Sequence, residues 1–245
     1  MSKDLLKNLI SDLDKINKDN VTPIFIPSLD KKVEFEMFSV AQHKDLLKSA
    51  FEGYEGAIKS NIIYNNAILD NSVDDIDFSV ADRAHILVEL RKSSLGNNYV
   101  VDDKTLDMSK LPTPNFEFNY TEKLEYNGVV VKLKIPSLER DTAISKKLLA
   151  EFKRLSESEK DVEAVNVMIT YEIIKYIDSV EVADNTITFD NFNLYESKQI
   201  VNTLPLKINN AVVDFIDKFK QQETANLTFD DDTFIEIDAG FLSND

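Results

Sequence analysis

The amino-acid sequence predicts an α+β fold in which short β-hairpins alternate with helical blocks, preceded by an amphipathic N-terminal helix. Two stretches of alternating apolar and polar residues surround turn-forming pairs, at Asp30-Lys31 and at Asn127-Gly128. Between and after these stretches, apolar residues recur every three or four positions, which is the spacing of one helix face. Because 43% of the 245 residues are hydrophobic, the chain also has enough apolar surface to form a core.

The predicted N-terminal helix spans residues 2–19. It carries one apolar stripe, formed by Leu6, Leu9, Leu13 and Ile16. A helix this short is not stable alone, so the stripe must dock either on the rest of the chain or on a partner. We therefore treat residues 1–20 as an extension and 21–245 as the α+β domain, with a subdivision near 98–136 left open. The four stripe residues are candidate partner contacts.

The first hairpin is predicted on either side of Asp30-Lys31. Its apolar face alternates with charged residues and consists of Val33, Phe35 and Met37. Pro23 and Pro27 have no amide proton for a strand ladder, so the first strand is expected at a sheet edge or to be irregular.

Three helices are predicted after this hairpin. Ser39 and Gln42 have the spacing of a capping box, which predicts that a helix begins there. Glycines at 53–56 predict a break before a second helix. Ser79 is expected to cap the third helix, which ends at Gly96.

The middle of the chain contains the second hairpin and two further helices. Residues 101–114 are expected to form a loop, and a hairpin is predicted around Asn127-Gly128. Helices are predicted over 139–156 and 160–178, packing on the sheet or on each other. The second of them is expected to bury the face that carries Val162, Val165, Ile169 and Ile173.

The C-terminal third combines a short strand at 184–189 with two helices. The first helix covers 194–204, and Pro205 is expected as the first residue of the second. A core face on that second helix is formed by Ile208, Val212, Phe215 and Phe219. A terminal hairpin is predicted around residues 230–232.

Composition excludes several classes of function. The chain has 44 acidic and 28 basic residues, and its net charge of −16 disfavours nucleic acids and anionic membranes as partners. Without cysteine there is no disulfide, no thiolate nucleophile and no cysteine zinc site. Charges interrupt every apolar run, so we expect no signal peptide and no membrane span, and a soluble intracellular protein.

The sequence contains no recognisable catalytic motif. His43 and His85 are its only histidines, and both are expected to have structural or surface roles. The aspartate runs at 74–77 and 230–232 lack the spacing of a calcium loop and are typical of caps and turns. The five glycines are scattered and form no phosphate-binding loop. We therefore expect a protein that is not an enzyme.

Six sequence segments follow one another in an order that is typical of one protein family. They are IPSLDKKVEFEMFSVAQHKDLL, DDIDFSVADRAHILVELRKSSLG, KIPSLERD, IIKYIDSV, LYESKQIVNTLPLKINNAVVDFIDKF and FIEIDAGF. The matching positions in the second and fifth segments are Asp82, Arg83, Leu90, Arg91, Ser94, Gly96, Leu204 and Pro205. Over residues 21–242 the chain thereby resembles the baseplate hub assembly proteins of T4-like contractile-tailed phages.

The resemblance implies a role in tail morphogenesis without catalysis. Such a protein helps to assemble the central hub of the baseplate, as a chaperone or as a retained component. Its partners would be tail or baseplate hub proteins, with the tape-measure protein among the candidates, and its oligomeric state is left open. It would act in the host cytoplasm during assembly and, if retained, in the virion baseplate.

The resemblance also bears on individual residues. Arg83 and Arg91 are candidate partner contacts, and the alternative for each is an ion pair with a neighbouring carboxylate or another helix. Many family members carry Cys-x-x-Cys pairs that resemble zinc sites. Because this chain has no cysteine, no metal and no other cofactor is carried over.

Two other function classes are left open by the residues. The net charge of −16 suits an acidic mimic that binds the basic groove of a DNA-processing protein. An enzyme without a known motif could use His85 with Asp82, or a pair of carboxylates brought together by the fold.

Overall fold

The computed structural model describes residues 7, 9, 20–101, 104–118, 120–158, 160–189, 194–229 and 233–242. Its hairpins and helical blocks confirm the predicted α+β class. The N-terminal helix with Leu6, Leu13 and Ile16, and the turn at 230–232, lie outside the described residues. Lys7 and Leu9 are described, and both are helical and exposed.

The described part of the chain contains eight strands and seven α-helices. In chain order they are β1 (Val21–Ile26), β2 (Lys31–Glu36), α1 (Val40–Ser49), α2 (Gly53–Asn71), α3 (Val80–Leu95), β3 (Asn98–Val101), β4 (Lys104–Asp107), β5 (Thr121–Tyr126), β6 (Val129–Lys134), α4 (Leu138–Ser156), α5 (Asp161–Tyr176), β7 (Ile177–Val182), β8 (Asn185–Thr188), α6 (Leu194–Thr203) and α7 (Leu206–Asn226). The strands form two separate hairpins, β1–β2 and β3–β4, and one four-stranded antiparallel sheet in the order β5-β6-β7-β8.

The β1–β2 hairpin confirms the sequence prediction. Its strands pair antiparallel from Val21 opposite Glu36 to Ile26 opposite Lys31. Asp30 takes the left-handed conformation that closes the turn, with φ of 50°. Val33 and Phe35 are buried, so the alternating pattern places its apolar face on the core.

Helices α1 and α2 meet at a tight corner. Ser39 and Gln42 form the predicted capping box, and the predicted break lies at Gly53, whose φ is 57°. Gly56 sits against the end of α1, where an added Cβ would lie 1.9 Å from the carbonyl oxygen of Ser49. The hydroxyls of Ser49 and Ser60 are 2.6 Å apart across this contact. The corner therefore depends on small side chains.

The first turn of α3 is held by two copies of the tetrapeptide Ile-Pro-Ser-Leu, at 26–29 and 135–138. The Ser28 hydroxyl donates to the Asp82 carboxylate over 2.5 Å, which fastens the first hairpin to α3. In the second copy, the amide of Val80 donates to Pro136 over 2.9 Å. Both hairpin regions thus converge on one helix end.

Two strands differ from the sequence prediction. The segment expected to be a loop at 101–114 includes β4, which pairs with β3. The sequence does not predict these strands, because four residues are too few to show a clear alternation of apolar and polar side chains. The helix expected over 160–178 ends at Tyr176, and Ile177 begins β7. Since β7 lies between β6 and β8, its backbone forms hydrogen bonds to both neighbouring strands. These bonds replace the ones that a longer helix would make.

The predicted core face of α5 is wrong. Three of its four residues are exposed, with Val162 at 74%, Val165 at 51% and Ile169 at 55%. Tyr171, which is buried, instead joins α5 to α4, because its hydroxyl donates to Glu151 over 2.8 Å. The helix therefore has apolar residues on two faces, and only one of them is used by the core.

The last helix, α7, packs its apolar face into the core, as predicted. Its stripe is fully buried at Ile208, Val212, Phe215 and Phe219. Helix α7 begins one residue later than expected, because Pro205 is its cap rather than its first residue. Beyond α7, Thr228 bridges Phe234, and the amide of Ile235 donates to Leu227 over 3.0 Å, so the flanks of the predicted terminal hairpin do pair.

Candidate interaction site

A groove of about 620 Å³ opens between α5 and α7. Its walls are apolar and are formed mainly by Met168, Ile169, Ile173, Val213 and Ile216. Its floor comes from α2, α3 and α4 and carries polar side chains among apolar ones. We call this the α5–α7 groove.

The floor of the groove is a buried ion cluster centred on Asp141. The Asp141 carboxylate lies 2.7 Å from the Nζ atom of Lys175 and 3.4 Å from Nη1 of Arg83. Amide groups of Asn61 and Asn65 each donate to the same carboxylate over 2.6 Å. Three helices, α2, α3 and α5, thus supply side chains to one anion on α4, and this fixes the floor.

Electrostatics in the cluster favour its charged form. Burial alone would raise the pKa of Asp141, but Lys175 and Arg83 outweigh it and lower that pKa to about 2. Burial alone would likewise lower the pKa of Lys175, yet Asp141 and Glu172 hold it above its usual value. A cluster that stays ionised and saturated with hydrogen bonds is suited to holding helices together.

At the rim of the groove the acidic charges are less completely neutralised than in the floor. Glu172 bridges Lys220 over 2.7 Å and Lys175 over 3.3 Å. For Glu223, burial raises the pKa, and the attraction of Arg83 offsets this only in part. A cation brought by a partner would therefore stabilise the charged form of Glu223.

An exposed apolar stripe leads along α5 into the groove. Val162, Val165 and Ile169 are spaced three and four residues apart, so they lie on one helix face, and Ile169 also lines the groove. Exposed apolar surface next to a concave groove with charged residues at its rim is typical of a protein-binding site. The arrangement fits an amphipathic helix whose apolar face fills the groove and whose basic residues meet the rim.

The structure places the predicted arginines inside the fold. Arg83 makes the ion pair with another helix that was the alternative to partner contact. Arg91 is 2% exposed, and its Nε donates to the carbonyl of Phe241 over 2.7 Å. Its guanidinium carbon lies 4.7 Å from the centre of the Tyr99 ring. These positions favour structural roles for both side chains, while Leu9 remains exposed in the described part of the N-terminal segment.

The groove residues other than Arg83 were not predicted as a site. Asp141 and Lys175 are 34 residues apart, and each alone looks like an ordinary helix-surface charge. The stripe on α5 is evident in the sequence, but its spacing is the same for a core face and for a binding face. Spacing in the sequence therefore carried no signal that distinguishes the two.

The histidines and the aspartate run at 74–77 do not line the groove, and the run at 230–232 lies outside the described residues. His85 Nε2 donates to the carbonyl of Phe25 over 2.9 Å and its ring packs edge-on against Phe116. Asp77 accepts from the amide of Glu139 over 3.2 Å and so helps to cap α4. Across the described residues, no group of three His, Asp or Glu side chains is placed to hold a metal ion. No helix among them is long and apolar enough to cross a bilayer.

Comparison with known proteins identifies the family. The family model described as T4 bacteriophage base plate protein matches residues 19–230. Searches of curated proteins and of solved structures find no match. The matched range includes β1, all seven helices and every residue that lines the α5–α7 groove. The chain therefore belongs to the family of T4 bacteriophage base plate proteins.

Proposed function

We propose that this protein works without catalysis in the central hub of the phage baseplate, either as an assembly chaperone or as a retained component. It would do so by binding another tail protein in the α5–α7 groove. The observation that carries the proposal is the exposed stripe of Val162, Val165 and Ile169, which the core does not use. Family membership supports a baseplate role, and the stripe supplies a surface for it.

The chemistry of the groove indicates what kind of segment it binds. Apolar walls favour an amphipathic helix, because its side chains at every third or fourth position can enter the groove. Asp217 and Glu223 line the same groove, where Lys220 is already paired with Glu172 over 2.7 Å. The chain as a whole has a net charge of −16. A partner helix with Lys or Arg beside its apolar face complements this rim.

Capture of the tagged protein from infected cells tests this proposal. The variant is Val165→Asp with Ile169→Asp, which places two charges on exposed positions. We expect roughly a tenfold or greater loss of co-captured baseplate proteins, because charges in an apolar contact remove its main contribution. The matched control is Ile187→Asp, since Ile187 is also 51% exposed but lies on the edge strand β8.

Three outcomes are informative. Loss of baseplate proteins from the double variant alone supports the groove as the binding site. Equal capture by wild type and double variant contradicts it. Host DNA-processing proteins that elute at high salt would instead support an acidic mimic, because binding through charge alone is screened. Mass spectrometry of purified particles then distinguishes a retained component from a chaperone.

A further inference from the structure

The outer face of α1 carries a second apolar stripe that the described residues leave uncovered. Val40 is 70% exposed, Leu47 is 37% exposed and Phe51, just beyond the helix, is 91% exposed. Their spacing of seven and four residues places them on one side of the helix. The opposite side packs on α2 through Leu46 and Ser49. The exposed stripe needs another occupant.

The chain entering the domain passes close to this stripe. Asn20 precedes β1, and its Nδ2 lies 3.6 Å from the sulfur of Met37, three residues before α1. Residues 2–19 lead into Asn20 and carry the predicted apolar stripe. Leu9, a described member of that stripe, is helical and 51% exposed. The segment that carries the exposed Leu9 thus joins the same hairpin from which α1 follows.

The register of the hairpin, carried into the helices, places three of the four N-terminal stripe residues opposite the exposed stripe of α1. Opposed residues in β1 and β2 have numbers that add to 57, as in the pair of Val21 and Glu36. In any antiparallel pair of helices both members rise by about 1.5 Å per residue, so one sum describes all their opposed positions. The same sum, within one residue, pairs Ile16 with Val40, Leu9 with Leu47, and Leu6 with Phe51. It leaves Leu13 opposite the exposed Lys44.

We propose that residues 2–19 dock as a helix antiparallel to α1 and cover Val40, Leu47 and Phe51. This inference goes beyond the proposed function, because it concerns a contact within the chain. It assigns the N-terminal stripe to the protein's own domain. The α5–α7 groove then remains the surface for a partner.

Disulfide trapping tests the register directly, because the chain has no cysteine of its own. The full chain with Leu9→Cys and Leu47→Cys is treated with diamide as the oxidant. We expect an intramolecular disulfide to form, since these positions face each other in the proposed register. The matched control pairs Leu9→Cys with Val40→Cys, which the register displaces by about 10 Å. It should react roughly tenfold more slowly. Equal rates for the two pairs, or disulfides only between molecules, would overturn the proposal.

Thermal unfolding provides an independent measurement. Leu9→Asp and Leu47→Asp should each lower the melting temperature of the full chain by about 5 °C. Their combination should lower it by less than the sum, because both remove the same contact. Lys7→Asp adds a negative charge to the same segment at an exposed position and should have little effect. An unchanged melting temperature for Leu9→Asp would overturn the proposal and assign the stripe to a partner.

Discussion

The carboxylate of Asp141 on α4 lies 2.7 Å from the ammonium group of Lys175 on α5, and the two side chains are 4% and 10% exposed. Arg83 of α3 approaches the same carboxylate. One buried anion thereby joins three helices beneath the α5–α7 groove. The shape of the groove depends on this ion cluster, although the cluster itself does not need to contact a partner.

Replacing Asp141 by Asn should destabilise the protein by about 3 to 5 kcal/mol. The change preserves the shape of the side chain but leaves Lys175 and Arg83 in the interior without their shared counter-charge. The free energy of unfolding from urea titration measures the effect. Asp45→Asn is the control, because its pair with Lys48 is exposed and should contribute almost nothing. Similar losses for both variants would contradict the assigned role of Asp141.

Asp141 should also make the free energy of unfolding depend on pH. The pKa of Asp141 is lowered to about 2 in the folded protein, from an ordinary value of 3.8. The unfolded chain therefore takes up the proton first, so this contribution is complete above about pH 4 and is lost as pH falls towards 2. Urea titrations at a series of pH values should show this slope in the wild type. The slope should be smaller in Asp141→Asn, and an identical slope would exclude Asp141 as its source.

Gly56 should not tolerate a side chain. In Gly56→Ala the new Cβ would lie 1.9 Å from the Ser49 carbonyl, so α1 must move away from α2. We expect a loss of about 1 to 3 kcal/mol or more in the free energy of unfolding. Gly53→Ala is the matched control, because its Cβ meets no atom within 4 Å and only its φ of 57° is unfavourable. The prediction fails if Gly53→Ala is the more damaging change.

Arg91 should hold the C-terminal segment in place. Its guanidinium donates to the carbonyl oxygens of Phe241 and of Asn98, the latter over 2.9 Å. Arg91→Lys keeps the charge but cannot reproduce both bonds, so we expect a loss of about 2 kcal/mol. Limited proteolysis should then cut the C-terminal segment sooner. Arg154→Lys, at an exposed position, should leave both the stability and the cleavage rate unchanged.

The local elements were predictable because local chemistry determines them. Asn127-Gly128 has positive φ at both residues, as a two-residue hairpin turn requires. The cap at Ser79 and the stop at Gly96 likewise depend on residues next to the helix ends. In each case a few adjacent residues contain the physical cause of the structure.

The site was less predictable because tertiary packing determines it. The apolar spacing on α5 is compatible with either of two buried faces, and the core selects the one with Tyr171. The ion cluster joins Arg83 to Asp141 across 58 residues of sequence. Neither arrangement can be read from the spacing of neighbouring residues, so the sequence alone does not predict the groove.

Electron microscopy of tails made by phage that carry Val165→Asp with Ile169→Asp in this protein tests the role of the groove most directly. We expect tails with missing or incomplete baseplates, while the purified variant keeps the melting temperature of the wild type. Phage with Ile187→Asp should assemble complete baseplates. Complete, infectious tails from the groove variant would contradict the claim that this protein acts in baseplate assembly through the α5–α7 groove.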